Sequence, residues 1–208
     1  MTRFLLPLFA LAILLTACGG GGGGSDCDNE YSDSSLSLCL PDKWIVMDGE
    51  TRRQRGIPDE TIVAIRFEEA ISGQFPAVTV TRETMKREVS PLDYSEAGIR
   101  SVSTLPGYTL MDTKEVKIDR EDVSMHVFTA QPISDEPARK FYQISTVKGN
   151  DGYTITAAAP LFIESSIEKQ IESIVMSISF DKETEEAEET EEKEDKKKKK
   201  KDKDEDKD

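Results

Sequence analysis

Histidine occurs once in the 208-residue chain, at His126, tryptophan occurs once, and cysteine occurs only three times. A nucleophile needs a base within reach, so a Ser-His or Cys-His device has a single place to form. His126 lies in VSMHVFTAQ, a β pattern that sets it on the opposite face from Val123, Met125 and Val127, and a structural or exposed histidine is expected. No Gly-x-Ser-x-Gly elbow occurs, and no internal repeat. Basic residues are in deficit, with 27 Lys and Arg against 41 Asp and Glu and a formal net charge of −14. This argues against a nucleic-acid binder, which neutralises phosphates with clustered Lys and Arg. Long apolar runs are missing too. Phe4 to Leu15 falls short of the about 20 residues a membrane-spanning helix needs, and Pro7 interrupts it.

What is present begins with MTRFLLPLFALAILLTAC. Arg3, the apolar core and the small residues before Cys18 follow the order of an export signal, residues 1–17. Leu15-Thr16-Ala17-Cys18 resembles the bacterial lipobox. The resemblance implies that Cys18 receives a diacylglycerol, becomes the new terminus and is often acylated on its amine. Each buried CH₂ contributes roughly 0.8 kcal/mol, so multiple chains anchor durably. Residues 18–34 then read as a lipidated, glycine-rich tether and arm, because Gly19 to Gly24 offer no side chain to pack. Such a coil of about eight residues spans roughly 15 Å. A phosphate-cradling loop is the rival, but no helix start with Lys-Ser or Lys-Thr follows. Gly19 after the lipid cysteine lacks the Asp associated with inner-membrane retention. The expected address is therefore extracytoplasmic: the periplasmic face of the outer membrane in a Gram-negative cell, otherwise the outer face of the cell membrane.

With Cys18 assigned to lipid, Cys27 and Cys39 form an even pair in an exported protein, and a disulfide between them is expected. Two free thiols remain the alternative. A metal site would need companions that are absent nearby, so no metal and no cofactor is expected.

Residues 35–180 carry nearly all the aromatic and β-branched residues and read as one domain. SLSLCL alternates as a strand, Trp44-Ile45-Val46 supplies an anchor, and DGETRRQRGIPDE reads as a polar loop. TIVAIRF and AVTVTR read as neighbouring strands joined by EEAISGQ. SPLDYSEAGIRSVSTLPG has helix punctuation, with Ser90 as cap and Pro91 at the first position, and Leu92, Ala97, Ile99 and Val102 as its packing residues. YTLMDTKEVKID and VSMHVFTAQ flank a turn at Asp119-Arg120-Glu121-Asp122, and FYQISTV and YTITAAA flank the hairpin signal KGNDG. Ile163, Ile167, Ile171, Ile174 and Ile178 then recur at helical spacing. The fold class is α+β, a mostly antiparallel sheet sandwiched by two amphipathic helices.

LSLCLPDKW, LPGYTLMDTKEVKID, and YTITAAAP followed by IEKQIESIVMSISF resemble the PsbP family and the related DcrB-like bacterial lipoproteins. The shared marks are a Leu-Pro-x-x-Trp opening, a Gly-Tyr after the first helix, and a Tyr-x-x-Thr strand leading to a last helix that ends Ser-x-Ser-Phe. The resemblance implies a central antiparallel sheet between helices, in a superfamily that mostly binds partners: photosystem accessory proteins, Ran-binding proteins of the Mog type, envelope lipoproteins. It supplies no catalytic residues. Asp119 to Asp122 stand where relatives often have a glycine turn.

Residues 181–208 carry no core-forming pattern and are expected to be disordered, with Lys196 to Lys201 following an acidic block. They read as a solvating spacer, the sharper alternative being contact of Lys196 to Lys201 with an anionic surface. A calcium site at Asp119 to Asp122 or at Asn150-Asp151 is not expected, because neither stretch has the ligand spacing of a dedicated loop. Arg52, Arg53 and Arg55 are the candidate partner-binding residues, because guanidinium forks grip carboxylates and phosphates. A solvated loop pairing with Glu50, Asp59 and Glu60 is the competing reading. The function expected is that of a non-enzymatic, membrane-anchored lipoprotein presenting a PsbP-like interaction domain to an envelope partner. The alternatives are a small-molecule or metal binding lipoprotein and, further off, a hydrolase.

Overall fold

A computed structural model describes residues 29–180. The signal segment, Cys18, the glycine tract, Cys27 and the tail with Lys196 to Lys201 lie outside the described residues. The elements run β1 (Glu30–Ser32), β2 (Ser37–Cys39), β3 (Trp44–Val46), α1 (Gly49–Gln54), β4 (Thr61–Phe67) and β5 (Ala77–Thr84). They continue with α2 (Pro91–Val102), β6 (Thr109–Ile118), β7 (Glu121–Ala130), β8 (Arg139–Lys148), β9 (Asp151–Pro160) and α3 (Ser165–Met176).

A seven-stranded sheet has the order β3-β4-β5-β9-β8-β7-β6, and every neighbouring pair is antiparallel. The architecture is the α+β sandwich that the alternating strands and two amphipathic helices predict. α3 lies on one face. Ile171, Ile174 and Val175 are fully buried against Val63, Ile65, Val78, Val80, Ile144 and Ile155. The first turn of α3 is tied to the sheet by Glu168, which accepts hydrogen bonds from Lys140 and Tyr142. These contacts hold the Glu168 carboxyl below the usual carboxylate range, the Lys140 hydrogen bond being the larger cause. β2 packs beside α3: Ser37 and Ser179 exchange backbone hydrogen bonds, and the Ser177 hydroxyl accepts from Cys39 N. Trp44, edge-tilted on Phe67, donates to Gln170 of α3.

α2 lies on the other face. Its Ser90 cap accepts from Asp93 N, as the punctuation predicts. Its packing face is different from the expected one. Leu92 is 68% exposed and Ala97 is also exposed, while Tyr94 reaches toward Thr154 and Gly98 sits against Ser145. A small residue and an aromatic make the contact, which apolar counting along the helix does not reveal.

Three further differences stand out. DGETRRQRGIPDE is not simply a loop: Asp48 caps α1 by accepting from Thr51 N at 2.7 Å, adding a third, short helix. Only Asp119 and Arg120 form the β6–β7 turn, since Glu121 and Asp122 already pair with Ile118 and Lys117. Finally, Glu30–Ser32, within the stretch read as an arm, forms a strand paired with β2.

Candidate functional site: an arginine-ringed cleft

The strands β8 and β9 each have ten residues, about 33 Å of strand, whereas the twelve residues of α2 span only about 18 Å. α2 covers the part of its face near Ser145, Gly152 and Thr154, toward the β6–β7 and β8–β9 turns. The opposite end of that face is left open as a cleft of about 580 Å³.

Its floor is set by alternation along paired strands. Ala77 stands opposite Ala158, and Thr79 opposite Thr156. Their inward neighbours Val78, Val80, Ile155, Ala157 and Ala159 enter the α3-side core, so these four small side chains face the cleft half-exposed. One wall comes from Met47, Arg55, Ile57 and Arg66, and the other from Phe141, Arg139, Pro137 and Glu136. The β4–β5 and β7–β8 connections meet at one end, where Gln74 donates to the Pro137 carbonyl at 3.2 Å.

Three guanidinium groups converge here. Those of Arg55 and Arg66 lie over the same Phe75 ring, with centroid distances of 5.4 and 4.9 Å. Arg66 also donates through Nη1 to the Phe67 and Glu68 carbonyls. Arg139 donates through Nη2 to the carbonyls of Phe75 at 2.7 Å and Ala158 at 3.3 Å, while its Nε is buried without a hydrogen-bond partner among the described residues. Burial pushes the Arg139 pKa down, and the charge of Glu136 acts in the opposite sense. None of the ion pairs among the described residues includes Arg55, Arg66 or Arg139.

The sequence-predicted arginines therefore part company. Arg55 lines the cleft, Arg53 is exposed, and Arg52 turns away to donate to the Thr61 and Ile62 carbonyls of β4. Their expected pairing with Glu50, Asp59 and Glu60 is not among the ion pairs of the described residues. Arg66 and Arg139 were not predicted. The available signal was a single charge in the otherwise apolar TIVAIRF, but only the strand order brings it to the same cleft as Arg139.

His126 lies elsewhere, on β7 opposite Thr113. Its Nδ1 is 3.3 Å from the Thr113 hydroxyl, and its Nε2 is buried without a partner among the described residues. Burial lowers its pKa from the ordinary histidine value, with Glu115 acting in the opposite sense. The neighbouring Ser124 hydroxyl bonds to Glu115, so no serine–histidine pair forms at this position. No group of three or more His, Cys, Asp or Glu able to hold a metal occurs among the described residues. Of the acids in Asp119 to Asp122 and Asn150-Asp151, Asp119 is engaged by Ser179, Phe180 and Lys148, and Asp151 by Thr84. No helix among the described residues is long and apolar enough to cross a membrane.

The fold is PsbP-like. The chain is similar to cyanobacterial PsbP (CyanoP) from Synechocystis sp. PCC 6803, at 14% identity and a TM-score of 0.52, over 77% of this chain and 97% of that one. It is also similar to LpqN of Mycobacterium tuberculosis, described as involved in cell envelope biogenesis, at 11% identity and a TM-score of 0.53, over 73% and 90% of the respective chains. No family model matches the sequence. No curated protein matches it either.

Proposed function

We propose that the protein is a membrane-anchored, extracytoplasmic lipoprotein whose PsbP-like domain binds a partner in the bacterial envelope and performs no chemistry of its own. The observation that carries this reading is the cleft: three arginines without ion pairs among the described residues, gathered on one face of a strongly acidic chain, offer a recognition surface for an anionic group. The export signal, the lipobox at Cys18 and the glycine tether supply the address, and LpqN offers an example of the fold in envelope biogenesis. A staple between Cys27 and Cys39 belongs to the same reading. Asn29 O accepts from Leu40 N, so the chain two residues after Cys27 runs beside the end of β2. A hydrolase would need a nucleophile at His126, whose hydrogen-bond partner among the described residues is Thr113. The ligand-sized cleft also favours a second reading, a small-molecule binding lipoprotein.

The test is made in the native envelope. Cys18→Ala is expected to abolish labelling by a fatty-acid probe, and unchanged labelling would remove the anchor. A photo-crosslinking residue at exposed Gln54 on α1 is expected to capture a discrete envelope protein, and Arg53→Glu with Arg55→Glu should reduce that capture by about fivefold or more. An identical captured set would reject this face as the contact.

A further inference from the structure

We infer that the cleft is a binding site for a small organic anion, a single carboxylate or phosphate head carried on an apolar body. The inference rests on the reading of this face as a binding surface and specifies its ligand.

The head group is called for by Arg139. Its Nη2 is committed to the Phe75 and Ala158 carbonyls and its Nε is closed off from solvent, which leaves Nη1, a donor with no hydrogen bond among the described residues, to meet the head group. An ionised acceptor gives a guanidinium its strongest bonds. Arg55 and Arg66 add the same demand. Two like charges lie over one Phe75 ring, and no acid among the described residues forms an ion pair with either. Glu136 lines the cleft as its one acid, so the three arginines leave positive charge in excess.

The body is called for by the remaining lining. Ala77 and Ala158 on the floor, with Met47, Ile57 and Phe141 on the walls, offer apolar surface without hydrogen-bonding groups on their side chains. A volume of about 580 Å³ falls in the range of small-molecule sites. The Gln74–Pro137 bond closes one end, which suits a compact ligand better than a polymer passing through.

The experiment uses the whole mature chain carrying Cys18→Ala, so that no acyl group of its own competes, and isothermal titration calorimetry with octanoate, octyl phosphate, octanol and inorganic phosphate. Octanoate or octyl phosphate should bind at one site, about tenfold or more tighter than octanol and than inorganic phosphate. Arg55→Gln, which removes an exposed side chain, should weaken that binding by about fivefold. Ala158→Leu, which fills the half-exposed floor and touches no charge, should abolish it, with the thermal midpoint of both variants near the parent's. The inference is overturned if neither acid saturates by about 5 mM, if octanol binds equally well, or if both variants bind as the parent does. Envelope crosslinking at Gln54 is scored separately, so loss of anion binding and loss of the partner contact are distinguishable results.

Discussion

Asp119 and Arg120 both hold positive φ, 48° and 69°, in a turn where glycine would avoid the steric cost. The Asp119 carboxylate makes contacts that glycine could not. It accepts from the Ser179 hydroxyl at 2.6 Å and from Phe180 N at 2.8 Å, and lies 3.6 Å from Lys148, with its side chain only 8% exposed. One acid thus joins the β6–β7 turn, the end of β8 and the segment after α3. His126 gives a residue-scale prediction. Burial lowers its folded pKa below the unfolded value of 6.5, so the unfolded state takes up a proton first as pH falls. Its stabilising contribution is present above that value and is lost as pH drops through the folded pKa. Urea unfolding at pH 7.5 and 5.0 should show a smaller acid-side loss of stability in His126→Leu than in the parent; equal losses would remove His126 as a source.

At the scale of elements, the KGNDG signal holds two glycines with different tasks. Gly149 takes φ 59° in the two-residue turn between β8 and β9, with Asn150 not at positive φ, the sign pattern of a type II′ turn. Gly152 is inside β9, and a Cβ there would stand 2.5 to 2.7 Å from the Tyr94 ring and hydroxyl. It is a packing glycine, the site where α2 presses on the sheet. Gly152→Ala should therefore destabilise by about 2 kcal/mol, and Tyr94→Ala in the same chain should recover part of that loss. Strict additivity of the two changes in a double-mutant cycle would show that the ring is not what the glycine accommodates. α1 illustrates the other limit of local reading. Six residues are too few to display a helical period, and only the Asp48 cap, with Thr51 three residues on, marks its start.

At the scale of the molecule, the sheet is asymmetric in its covering. The α3 face is sealed by β2 and the apolar stripe of the helix, while the α2 face is closed at one end and open at the other. The open end is where the cleft stands, so the cleft follows from a helix shorter than the strands beneath it. The amino-terminal arm belongs to the sealed side, with β1 paired to β2 and β2 to the segment after α3. If the proposed Cys27–Cys39 bond staples that arm, Cys27→Ser should lower stability by about 2–4 kcal/mol under oxidising conditions. Thermal unfolding with and without reductant checks it: a parent midpoint insensitive to reductant would remove the staple.

Much of the fold was legible in the chain. Alternation in TIVAIRF, AVTVTR and YTITAAA, the Ser90–Pro91 start of α2 and the isoleucine stripe of α3 are local, because a strand repeats every two residues and a helix every 3.6. The same local chemistry supplies the expectation of export and lipidation at Cys18. The candidate site was legible only in part. Arg55 stood in a visible arginine cluster, but Arg66 and Arg139 are separated in sequence by 73 positions and look like isolated charges. The order β4-β5-β9-β8 brings them to opposite walls of one cleft, and side-chain alternation gives that cleft its alanine and threonine floor. Sequence by itself determined the elements, whose periods are written within a few residues. Tertiary structure alone decided which charges meet, because strand order and the reach of α2 are set by packing between segments far apart in the chain.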